Sequence, residues 1–123
     1  MSETTRSGTR GAKREHLHRL RVEPRRLAEM IEAATVDSYG EAEQLTGWFT
    51  VIGENLVLPF ETIVLGVLVT VERTGLDPGR QIVAVCSRGR DRQSLPILDL
   101  PLPTPPPGGS EWTTAYRRWL GRG

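Results

Sequence analysis

The residues of this chain best placed to do chemistry are five carboxylates in one stretch, VDSYGEAEQLTGWFTVIGENLVLPFE, Val36 to Glu61. They are Asp37, Glu41, Glu43, Glu54 and Glu61, and the stretch holds no Lys, Arg or His. Carboxylate oxygens without nitrogen or sulfur ligands suit hard cations, above all Ca²⁺, which takes roughly six to eight oxygens. The stretch is not an EF-hand loop. DSYGEAEQLTGW has Tyr39 and Gly40 at the third and fourth places and no Glu at the twelfth. Two carboxylates about 4 Å apart repel by roughly 1 kcal/mol in bulk water and by about 4 kcal/mol at an effective dielectric near 20. Spread over a surface, the five need no cation and form a solvated acidic face. Converged, they call for a divalent ion.

Other chemistries find few residues. The two histidines, His16 and His18, lie near the N-terminus, and the single cysteine, Cys86, sits in the apolar run QIVAVCS. One Cys and two distant His do not make a closed zinc site. Cys86 reads as a buried thiol that packs like a small hydrophobe. The chain has no Gly-rich phosphate loop, nucleophile elbow or Cys/His pairing for acyl transfer, so a non-enzyme is expected.

The formal net charge is +1, but the charges are segregated. Met1–Arg26 carries eight basic and three acidic residues, Leu27–Glu72 eight acidic and no basic, and Arg73–Gly123 eight basic and four acidic. Met1–Glu23 has few large apolar residues and reads as a disordered basic tail, residues 1–23, ahead of one domain, residues 24–123. The tail offers the alternative of nucleic-acid contact, although a solvated tail is the simpler expectation and nucleic acid is not the expected partner. No apolar leader segment opens the chain, and the longest apolar run, TIVLGVLVTV at Thr62–Val71, is too short to span a bilayer. A soluble cytoplasmic protein without membrane contact is therefore expected.

The elements that must hold the carboxylates follow from periodicity. Pro24 suits a first helical position, and Leu27, Met30, Ile31 and Ala34 then recur on one face. This helix either runs on through Ala42 and Leu45 or breaks at Gly40, and Thr46-Gly47 is expected to end it, with Gly47 as the C-terminal cap. On such a helix Asp37 and Glu41 share a face, Glu43 points away unless the helix bends near Gly40, and Glu54 and Glu61 meet them only through the fold. WFTVI is too short to assign. Pro59 stands where a strand begins rather than inside one. Three strands are expected: Thr62–Arg73, with the apolar run buried; Gln81–Ser87, after the Asp-Pro-Gly turn; and Ser94–Leu98, after a polar loop. LPLPTPPPGG reads as a semi-rigid spacer, and Ser110 then caps a closing helix with Trp112, Tyr116, Trp119 and Leu120 on one face. The fold class is α+β: an N-terminal helix and a short C-terminal helix packed on a small antiparallel sheet or partial barrel.

The acidic stretch resembles the signature of the small bacterial calcium-binding proteins first described in cyanobacteria, which are not EF-hand proteins. The likeness rests on Val36-Asp37, Tyr39, Glu41, Glu43, Gly47-Trp48, Glu54-Asn55-Leu56 and Pro59-Phe60, and extends more weakly from Arg25 to Leu120. It implies calcium buffering or sensing through Asp37, Glu41, Glu43, Glu54 and Glu61, with Trp48 beside the site. Ala42 and Gly53 stand where similar sequences often carry acids, so binding of micromolar strength or weaker is expected, affinity following ligand charge. The alternative is a metal-free protein-interaction module presenting an acidic face to an unknown partner.

Overall fold

The computed structural model describes residues 22–122. The proposed disordered tail, with both histidines, lies outside the described residues except for Val22 and Glu23. Among the described residues, three helices and four strands follow in the order α1 (Pro24–Thr35), α2 (Glu41–Asn55), β1 (Phe60–Val64), β2 (Val67–Leu76), β3 (Ile82–Arg88), β4 (Asp91–Pro96), a 3₁₀ turn (Ile97–Asp99) and α3 (Glu111–Arg122). The class is α+β, as expected. The sheet has the linear order β1-β2-β3-β4 with every pair antiparallel, and β1 and β4 remain edges, so it is open and not a barrel.

Helix α1 starts at Pro24, where a missing N–H goes unneeded, and buries Leu27, Met30 and Ala34. It stops at Thr35, because Val36 turns extended and Asp37 takes a left-handed φ of 60°. Gly40 is the N-cap of α2. Helix α2 runs through Gly47, which corrects the expected cap. A Cβ on Gly47 would collide with the carbonyl oxygen of Ala34, so glycine is there to let α2 cross close to the end of α1. WFTVI is thus helical, and Leu45, Trp48 and Ile52 form the buried face of α2.

The apolar run Thr62–Val71 is a hairpin rather than one buried strand. It turns at Leu65 (φ 51°) and Gly66 (φ 80°), the double positive φ of a two-residue hairpin turn whose twist suits the flanking strands. Val64 pairs with Val67 and Ile63 with Leu68 across it. The Asp-Pro-Gly turn forms as expected, with the Arg80 N–H donating to the Asp77 carbonyl (2.9 Å) and the Gln81 N–H to Asp77 Oδ1 (2.9 Å). The last strand begins at Asp91, three residues earlier than Ser94, because Gly89 (φ 61°) lets β3 and β4 join through Gly89 and Arg90 alone.

The core has two parts. In the first, Leu27, Met30, Trp48, Ile52, Ala115 and Tyr116 of the helices meet Ile82 and Ile97 at one end of the sheet. Trp48 is fully buried, with ring centroids 5.6 Å from Tyr116 and 5.8 Å from Trp119. Its side chain therefore points into the helical core, away from the exposed carboxylates. Leu120, placed on the same face by its spacing, is 45% exposed. In the second part, Val71, Ala84, Cys86 and Leu100 line the inner face of the sheet. The proline-rich connector packs on the domain instead of spacing it. Thr62 Oγ1 donates to the Pro101 carbonyl (2.6 Å), and the Val57 N–H donates to the Gly108 carbonyl (2.8 Å).

Candidate functional site

All five carboxylate side chains are exposed. Asp37 sits in the turn between α1 and α2, while Glu41 and Glu43 occupy the first turn of α2. Glu43 folds back over that turn, where its Oε1 accepts the Tyr39 N–H at 2.8 Å. This is a capping contact: it satisfies a donor at the helix start, and both glutamates oppose the positive end of the helix dipole, worth about 0.3–1 kcal/mol each. Asp37, Glu41 and Glu43 are thus confined to one turn-and-helix start, with Tyr39, 88% exposed, beside them.

Glu54 stands thirteen positions after Glu41 on the same helix. At 1.5 Å per residue the two lie about 20 Å apart along the axis, too far to share one ion. Glu61 is on β1, paired with Thr70, with the buried Thr62 and half-buried Phe60 facing inward on either side of it. The five carboxylates therefore do not gather in one place. Among the described residues, no group of three or more His, Cys, Asp or Glu side chains could hold a metal ion as they stand. The donor set has the right chemistry for a hard cation, but its side chains are not gathered.

The chain has no match among family models, curated proteins or solved structures.

Two features of the molecule were invisible in sequence. The first is a small polar network. Ser87 Oγ donates to Glu72 Oε2 (2.6 Å), and Arg92 Nε lies 3.3 Å from Glu72 Oε1. These hydrogen bonds, Ser87 first and Arg92 second, hold the Glu72 carboxyl below its ordinary 4.5. It forms where the pairing of β2 with β3 slips between Val71 and Arg73, and nothing local in sequence signals that bulge. The second is the far end of the sheet, where the β1–β2 and β3–β4 turns lie side by side. A concavity of about 330 Å³ opens there, its lining including Val64, Val67, Val69, Cys86, Arg88 and Asp91.

Cys86 and Tyr116 are both buried. Burial pushes the Cys86 thiol up from 9.0. It also pushes the Tyr116 hydroxyl up from 10.0, with a hydrogen bond from the Ile82 backbone offsetting part of the rise. A thiol shifted in that direction is protonated at neutral pH and is a poor nucleophile.

Proposed function

We propose that the chain is a non-catalytic calcium-binding domain, and that its working surface is the turn and helix start bearing Asp37, Glu41 and Glu43. One observation carries this reading: three carboxylates share the α1–α2 turn and the first turn of α2, and no basic residue occurs anywhere from Leu27 to Glu72. The carbonyl oxygens of the turn and water would complete an oxygen-only shell. Glu54 and Glu61 belong to no such group and at most supply single ligands elsewhere. With few protein ligands and no preformed cage, affinity falls in the weak range, on the order of 10⁻⁴–10⁻³ M. Buffering or sensing of Ca²⁺ in the cytoplasm is the role this reading assigns.

A specific observation favours a second reading. The side chains are splayed, and Glu43 is already engaged as a helix cap. A metal-free acidic face that receives a basic protein partner needs no more than that. Calorimetry separates the two, with Ca²⁺ and Mg²⁺ titrated into the wild type and into Glu41→Gln/Glu43→Gln. Glutamine keeps the acceptor that caps α2, so the fold is retained while two charges are lost. The calcium reading expects saturable heat with Ca²⁺ and at least a tenfold weaker response in the variant. No heat up to millimolar Ca²⁺, or identical heats for both proteins, leaves the metal-free reading.

A further inference from the structure

The β1–β2 turn is built against the usual rules. Two-residue turns with positive φ at both positions are dominated by Asn, Asp and Gly. Here the first position is Leu65, at φ 51° and 98% exposed. Positive φ is unfavourable for a leucine, and full exposure gains it nothing. The apolar character also wraps the tip. Ile63 (58% exposed) and Leu68 (56%) lie on one face, Val64 and Val67 on the other, and every residue from Ile63 to Val69 is apolar or glycine.

The neighbouring turn has the opposite character. Arg88, Arg90 and Arg92 are all exposed there, with Asp91 as the one acid between them. Of these three arginines, Glu72 engages Arg92. The exposed carboxylates of α1 and α2 belong to the helical layer, which packs at the opposite end of the sheet. The hairpin end therefore combines an exposed apolar tip with a local excess of basic side chains.

We propose that this hairpin end docks the domain on the surface of an anionic lipid bilayer, Leu65 inserting among the acyl chains and Arg88 and Arg90 pairing with the headgroups. A fluid apolar medium suits a protruding tip that is apolar on every side, whereas a protein groove would cover one face. Charge selects against a second copy on this surface, since a two-fold contact through the tips would bring two arginine clusters together. Among the described residues no helix is long and apolar enough to cross a membrane, so the contact is peripheral.

The test is sedimentation of the full chain with sucrose-loaded vesicles in the presence of a calcium chelator, which keeps it independent of the calcium reading. Wild type is expected to bind phosphatidylserine-containing vesicles, and to bind pure phosphatidylcholine far more weakly. Leu65→Asn, which places a residue favoured at positive φ, should fold at least as well, as judged by its melting temperature. It should bind at least about tenfold more weakly, reflecting one lost buried leucine. Arg88→Gln and Arg90→Gln should each weaken binding roughly fivefold. The basic N-terminal residues are present in every variant, so vesicle binding that survives Leu65→Asn unchanged belongs to them and overturns the proposal. Absence of vesicle binding overturns it too, as does Leu65-dependent dimerisation in the ultracentrifuge without vesicle binding.

Discussion

Gly47→Ala should destabilise this protein, although replacing a mid-helix glycine ordinarily does the reverse. Helix propensity alone favours alanine by about 0.8–1 kcal/mol. At Gly47 the added methyl meets the Ala34 carbonyl oxygen inside van der Waals contact, and the Ala34 carbonyl carbon at 3.4 Å. Those are backbone atoms at the buried end of α1, so they cannot rotate aside as a side-chain tip would. Relief requires sliding α1 against α2, and overpacking of this kind costs roughly 1–3 kcal/mol, or more where backbone must move. Because both atoms met are backbone, the upper figure of about 3 kcal/mol applies, and the propensity gain of about 1 kcal/mol leaves a net loss of about 2 kcal/mol and a fall in Tm of about 8–16 °C for a domain of this size. Gly53→Ala in the same helix is the control. Gly53 is exposed, and its added methyl would find only Thr74 Oγ1 at 3.7 Å, an ordinary contact. That variant should gain about 0.5–1 kcal/mol. Urea unfolding followed by tryptophan fluorescence measures both, and an unchanged m-value keeps the comparison to stability. Gly47→Ala equal to or more stable than wild type, or both variants moving in the same direction, would refute the close-approach account of the α1–α2 crossing.

The remaining predictions concern titrating groups. Cys86 should react slowly with a thiol reagent in the native protein and promptly in urea; rapid native reaction would show that the inner face of the sheet is open at β3. Because its pKa is raised on folding, its stabilising contribution is complete below 9.0 and is lost as pH rises through the higher folded value, with Tyr116 adding the same trend above 10.0. Glu72 acts in the opposite sense. Its pKa is lowered, so its contribution is present above 4.5 and fades as pH falls through the folded value. Glu72→Gln should therefore flatten the acid side of the Tm–pH curve below 4.5, and a curve parallel to wild type would mean that the contacts with Ser87 and Arg92 are not kept in solution.

Much of the helical layer was legible because its signals are local. Pro24 and the spacing of Leu27, Met30 and Ala34 mark α1, and the spacing of Tyr116 and Trp119 marks the inner face of α3. The Asp-Pro-Gly turn was legible for the same reason: an Asp side chain and a fixed proline φ act within four residues. Gly47 was misread because a glycine that caps a helix and one that admits a neighbouring helix look alike in sequence. The hairpin at Leu65-Gly66 was missed because leucine is an unusual residue at such a turn, so a continuous apolar run suggested a continuous buried strand.

The sequence alone determined the segregation of charge, the oxygen-only chemistry of the acidic stretch and the α+β class, since each depends on residue type and short-range spacing. Whether the carboxylates meet was decided by tertiary structure. Helix α2 continues through Gly47, whose missing side chain admits the end of α1, and that uninterrupted helix carries Glu54 far from Asp37, Glu41 and Glu43. The sheet, likewise, turns the longest apolar run into an exposed tip beside three arginines, because long-range strand pairing and not local hydrophobicity sets which faces the helices can cover.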